Sequence, residues 1–187
     1  EADELNNTAA QAVSVTWPRS TAGSESRVHS TLAGAQTLPA TAMRSNGDYV
    51  IVWSGSGIGD ADGVFLQRFS AAGQPLGSET RVNTTTTGSQ MSAAVAMNQS
   101  SGDFVVVWAG NGPGDANGIF FQRFNASGVA QGAETLVNGA PADIQANPAV
   151  GMDNSGDFVI AWQTGSPSDI FARRYNSSGT PAGDPFQ

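Results

Sequence analysis

One pattern occurs three times in the chain: SNGDYVIVWSG from Ser45 to Gly55, SSGDFVVVWAG from Ser100 to Gly110, and NSGDFVIAWQT from Asn154 to Thr164. Each copy is a Gly-Asp step followed by a short run that is apolar at nearly every position and ends in or next to a tryptophan. A strand with one face in water alternates apolar and polar residues, whereas a strand covered on both faces is apolar throughout. The repeated run therefore has to be sandwiched, and with three copies present, the natural cover for each is its neighbour.

Laying the chain on itself aligns Trp53, Trp108 and Trp162. The same shift aligns Gln36, Gln90 and Gln145, and also Glu25, Glu79 and Glu134, for a period of about 54 residues. Within each unit the order is constant. A segment of small residues comes first (LPATAM, MSAAVAM, NPAVGM), then the Gly-Asp run to tryptophan, then GVFLQRF, GIFFQRF or DIFARRY, and then ETRVN or ETLVN. The loops between them are rich in glycine, which reaches positive φ without steric cost; Gly47, Gly102 and Gly156 precede the aspartate in each case. No segment of useful length carries a 3.6-residue apolar period, so the chain should contain almost no helix.

A first strand of small residues, a second buried on both faces, an alternating third and a polar fourth describe a propeller blade. The expected fold is all-β, a β-propeller-like array of three four-stranded repeats over residues 24–187, with residues 1–23 as an N-terminal extension. The alternative is a β-trefoil-like three-fold fold closed within one chain. The three tryptophans belong to the core. Gln67 with Arg68 and Gln122 with Arg123 are expected to hydrogen-bond across strands or between blades.

The sequence GDFVVVW, followed by GIFFQRFN and a Gly-rich turn before ETLVN, resembles a repeat found in tandem in large secreted or surface proteins of bacteria. That resemblance covers roughly residues 24–187 and implies a propeller-like fold and a secreted or cell-surface location. Repeat three departs from it, with a shorter loop after Trp162 and Arg173 in place of the glutamine.

Composition narrows the partners. With 16 acidic residues, eight basic residues that are all arginine, and a net charge of −8, the surface repels phosphate backbones, so nucleic acid is not an expected partner. The apolar runs are far shorter than the roughly 20 residues of a spanning helix, so membrane insertion is not expected. The absence of cysteine excludes disulfides and thiol chemistry.

The best constellation for a bound ion is GDADG at 59–63 and GDANG at 114–118. Asp60 with Asp62, and Asp115 with Asn117, set oxygen ligands two residues apart beside a glycine, which suits calcium. Asp153 and Asp157 form a weaker candidate of the same kind, and Asp-Gly is also ordinary hairpin chemistry. Catalysis is not expected. His29 stands in the phase of Asn83 and Asn138, there is no lysine or thiol nucleophile, and the carboxylate pairs occur only as repeated turn residues.

Two functions follow from these features. The first is an extracellular structural or adhesive repeat module that self-assembles through β-strand exchange between subunits into a homo-oligomer or filament. The second is a carbohydrate-binding, lectin-type propeller with glycans as partners. The exchange expectation comes from the ends. Repeat three runs out at GDPFQ where ETRVN should follow, while ESRVH at 25–29 is such a segment with no repeat before it. Residues 12–17, AVSVTW, could add a further strand at that junction.

Overall fold

The computed structural model describes residues 25–139, 144–165 and 168–186. The expected extension over residues 1–23, including 12–17, lies outside them. Among the described residues there is no helix. Blade 1 consists of β1 (Gln36–Met43), β2 (Tyr49–Gly57), β3 (Asp60–Phe69) and β4 (Thr80–Arg81). Blade 2 consists of β5 (Gln90–Met97), β6 (Phe104–Gly112), β7 (Asp115–Phe124) and β8 (Thr135–Leu136). Blade 3 contains β9 (Gln145–Met152), β10 (Phe158–Thr164) and β11 (Ile170–Tyr175). Each sheet is an antiparallel meander in sequence order. This is the propeller-like array, not a trefoil.

The fourth position of blade 3 departs from the sequence-based expectation. Phe186 and Ala172 exchange two backbone hydrogen bonds of 2.9 Å. This is the register in which Thr80 pairs with Leu66 and Thr135 with Phe121. The segment GDPF is therefore the start of the outer strand itself, and residues 25–29 form no strand. The match was hidden because Pro185 occupies the position of Glu79 and Glu134.

Packing follows the apolar runs. One face of blade 1, with Val50, Val52, Val64 and Leu66, meets the opposite face of blade 2, with Phe104, Val106, Trp108 and Phe120. Blade 2 repeats the arrangement on blade 3, setting Val105, Val107, Ile119 and Phe121 against Phe158, Ile160, Trp162 and Tyr175. Every blade also carries two aromatic stacks across its second and third strands. Tyr49 on Phe69, Phe104 on Phe124 and Phe158 on Tyr175 each lie 5.0 Å apart. Trp53 on Phe65, Trp108 on Phe120 and Trp162 on Phe171 lie 6.1 to 6.4 Å apart. A side chain at Gly57 would overlap the Phe65 ring, and one at Gly112 the Phe120 ring, which explains glycine there.

The Gly-Asp step has a mechanical role. Gly47, Gly102 and Gly156 take φ of 91°, 82° and 85°. The aspartate that follows accepts the N–H of the turn after the third strand: Asp48 from Ala71 (3.0 Å), Asp103 from Ala126 (2.9 Å) and Asp157 from Ser177 (2.9 Å). Each carboxylate thus ties two neighbouring turns of its own blade. Hydrogen bonds from Asn46 and Ala71, with Arg44 nearby, hold the Asp48 carboxyl below its ordinary value of 3.8. Arginine then ties blade to blade: Arg68 donates to the Ala126 carbonyl (2.8 Å) and Arg123 to that of Ser177 (2.7 Å). Gln67 and Gln122 donate to Gly77 (3.1 Å) and Gly132 (3.2 Å), as the sequence suggests. Arg173, in the same phase, donates to Gly183 (3.2 Å) and reaches on to Val137 of blade 2 (3.0 Å).

Trp108 is fully buried, and its indole N–H has no partner among the described residues. Trp108→Ala should therefore cost about 3 to 5 kcal/mol. Trp108→Phe should cost clearly less, because it removes an unsatisfied donor along with part of the ring. Denaturant titration checks both, and equal losses would contradict the packing account.

Candidate functional site

The end of the blades where the first strands begin gathers the candidate residues. β1, β5 and β9 are spatial neighbours, forming the edge that a propeller turns to its central channel. The β2–β3 and β6–β7 hairpins close at the same end, since Gly57 pairs with Asp60 and Gly112 with Asp115.

The structure brings Asp60 and Asp62 together, and likewise Asp115 and Asn117, each pair within one hairpin. Asp60 Oδ1 accepts the Asp62 N–H (3.1 Å) and its Oδ2 accepts the Asn83 side-chain N–H (2.7 Å). Asp115 repeats this with the Asn117 N–H (2.9 Å) and the Asn138 amide (2.8 Å). Both aspartates are buried, whereas Asp62 and Asn117 are exposed. Asn83 and Asn138 in turn accept the N–H groups of Val64 and Ile119 (both 2.8 Å). The aspartates thus lock the outer strand onto the hairpin. Among the described residues no three His, Cys, Asp or Glu side chains cluster as a metal group would. Asp153 and Asp157 are engaged in their own turn, where Asp153 accepts the Ser155 and Asp157 N–H groups (2.8 and 3.0 Å). His29 takes the local role of its phase: its Nδ1 lies 2.6 Å from the Thr31 carbonyl, as Asn83 Nδ2 lies 2.7 Å from that of Thr85.

A second feature of this end escaped the sequence patterns. Leu38, Ser92 and Asn147 occupy equivalent positions and take φ of 52°, 57° and 52°. Each sits where the register of its strand slips. Non-glycine residues in this region cost roughly 1 to 2 kcal/mol, so the triple recurrence marks a shape the fold imposes on all three inner strands. The bulge leaves Leu38 and Met91 about half exposed, at 54% and 46%. In blade 3 the Asn147 amide donates to Gln163 (3.0 Å), leaving an exposed pair of amides. β1, β5 and β9 contain no carboxylate. A fold-imposed positive φ leaves no motif in a sequence, since Leu, Ser and Asn share no signature.

No protein-family model and no curated protein sequence matches the chain. Solved structures do. The chain is similar to a protein described as Hadza microbial sialidase Hz136, with a TM-score of 0.58 and 12% identity over 79% of this chain and 36% of the other. It is also similar to a GH43 endo-arabinanase from Bacillus licheniformis, with a TM-score of 0.50 and 16% identity over 81% of this chain and 58% of that one. The chain thus spans less than two thirds of either protein, and at these identities the likeness is one of fold.

The expectation that the chain is not an enzyme is corrected by these likenesses. It rested in part on the argument that carboxylate pairs found only as repeated turn residues speak against catalysis. Yet the solved structures that share this architecture bear the names of a sialidase and an endo-arabinanase. A repeated blade is therefore no argument against an active site.

Asp115→Ala should lower stability by about 1 to 3 kcal/mol in calcium-free buffer, because the buried Asn138 amide loses an acceptor. Melting curves with calcium and with excess chelator complete the test. A chelator-dependent fall in Tm would show that the same carboxylates bind the ion as well. Leu38→Asn should raise Tm slightly, since asparagine tolerates the left-handed region better than leucine; a fall would contradict the strain assigned to that bulge.

Proposed function

We propose that this chain is an extracellular structural or adhesive propeller module, secreted or held at a cell surface, whose blade 3 face is an assembly surface. The observation that carries the reading is a difference between equivalent positions. Val50 and Val105 are fully buried under the next blade, whereas Val159 in the same phase is 40% exposed. Val64 and Ile119 are likewise fully buried, but Ile170 is 63% exposed. Apolar side chains that two blades bury and the third presents make a surface built for a further blade. Cells displaying the chain should clump, and Ile170→Asp should abolish clumping without altering the β-type circular-dichroism spectrum. Undiminished clumping by that variant would overturn the assembly surface.

A second reading, recognition of glycans, is favoured by the exposed Asn147–Gln163 amide pair on the channel edge. Amides offer both donors and acceptors to sugar hydroxyls, and the similar solved structures are named for enzymes that act on glycans. A glycan array that includes sialosides and arabinan, with release of sugar measured on the same compounds, tests it. Binding lost in Asn147→Ala supports recognition at that edge, and no binding to any glycan removes it.

A further inference from the structure

We infer that the cleft between blades 2 and 3 binds an alkylguanidinium cation, the chemical group of an arginine side chain. The inference stands apart from the assembly and glycan readings, since its residues lie at the end of the blades away from the β2–β3 and β6–β7 hairpins.

The molecule contains this cleft twice, once narrow and once open. Between blades 1 and 2 it is lined by residues that include Arg44, Asp48, Tyr49, Arg68, Leu76 and Met97, and it measures about 30 Å³. The residues in the same phases one repeat later, Asn98, Asp103, Phe104, Arg123, Gln131 and Met152, line the cleft between blades 2 and 3, which measures about 360 Å³. The larger volume falls in the range of small-ligand pockets, roughly 300 to 1,000 Å³.

Arg44 accounts for the difference. Its Nη2 donates to the Ser100 carbonyl (3.1 Å), and its Nη1 lies 4.0 Å from Asp48 Oδ2. Its stem covers Gly102, where a side chain would begin 3.1 Å from Arg44 Cδ and Cζ. In blade 2 the phase of Arg44 is held by Asn98. The Asn98 amide donates to the Asn154 carbonyl (3.0 Å), the counterpart of the Ser100 carbonyl, but brings no long stem and no charge. Asp103 Oδ1 accepts the Ala126 N–H as Asp48 accepts that of Ala71, while Asp103 Oδ2 has no ion pair or hydrogen bond among the described residues.

An alkylguanidinium supplies the part that Asn98 lacks. Its planar donors meet Asp103 Oδ2 as Arg44 meets Asp48, and its alkyl chain lies over Gly156 and against Phe104 and Met152 as the Arg44 stem lies over Gly102. Gln131 stands in the phase of Leu76 and adds an acceptor, because its Nε2 donates to the Val129 and Ala130 carbonyls and its Oε1 stays available. Arg123 is no bar to a cation. It is tied to the Ser177 carbonyl (2.7 Å), and Arg68, tied likewise to Ala126, shares the narrow cleft with Arg44. The net charge of −8 draws cations to the whole surface. An ammonium fits less well, being compact, strongly hydrated and without the planar fork. The Arg44–Asp48 pair is loose and partly exposed, so the affinity expected of its analogue is modest.

Amide NMR signals of the full chain, followed as n-propylguanidinium is added, test the inference. The Asp103 and Gly156 signals should move saturably, with a Kd on the order of 1 mM. n-Butylammonium should bind at least ~10-fold more weakly. Asp103→Asn keeps an acceptor for Ala126 but removes the charge, and should weaken guanidinium binding at least ~10-fold. Arg44→Ala opens the cleft between blades 1 and 2, so the Asp48 and Gly102 signals should then respond as well, which a general effect of salt on the protein would not produce. An acetyl-Gly-Arg-Gly-amide peptide identifies the source of the cation. Equal affinity for the peptide assigns the cleft to an arginine side chain of a partner protein, and binding of n-propylguanidinium alone assigns it to a free guanidinium compound. The inference is overturned by the absence of saturable shifts up to about 20 mM, by equal binding of the ammonium, by undiminished binding in Asp103→Asn, or by a silent second cleft in Arg44→Ala.

Discussion

Everything in this structure depends on covering the second strand of a blade by its neighbours, which for the central strand β6 extends to both faces. Burying an apolar residue removes its surface from water at roughly 25 cal/mol per Å². A strand buried on two sides gains twice over, but only if another sheet lies on each side. Val50, Val105 and their neighbours reach complete burial because the next blade supplies the second cover. A single blade cannot achieve this, so the blades are stable as a stack and not as units.

Hydrophobic cover sets no register, and the polar residues do. Aspartate, arginine and glutamate each make one bond that recurs at the repeat spacing: Asp48 to the turn of its own blade, Arg68 to the turn of the next, Glu79 to the linker that enters the blade. The first and third fix turns and segments within one blade, and the Arg68 bond, which crosses to blade 2, opposes slippage of one blade along the next, which a face of valines would tolerate. Repeat three shows how the scheme absorbs change. Pro185 removes the glutamate, and the longer reach of Arg173 adds a tie to the Val137 carbonyl of blade 2.

The same logic connects the packing to the proposed assembly. A solenoid or propeller segment exposes at its last unit the surface that every earlier unit hides. In this structure the blade 3 face is mildly apolar and carries Arg174, which makes no hydrogen bond among the described residues. The strained bulges of Leu38, Ser92 and Asn147 lie on a different edge, that of the inner strands, so the proposed glycan recognition and the proposed assembly fall on separate parts of the molecule.

The sequence by itself determined the repeat, the strand order within it and the burial of Trp53, Trp108 and Trp162, because periodicity and two-sided apolar runs are local signals of where water must be excluded. It also showed that His29 shares the phase of Asn83. It identified Asp60 and Asp115 as special, but from spacing alone a hairpin carboxylate and a calcium ligand look alike. Only the fold revealed that both carboxylates face buried asparagines some 23 residues away. The outer strand at Phe186 was illegible for a related reason: its pairing is visible in backbone hydrogen bonds, while Pro185 erased the residue by which the pattern is recognised. Positive φ at Leu38, Ser92 and Asn147 was decided by tertiary structure alone, since it depends on a bulge that the packing of the inner strands imposes and that no residue pattern states.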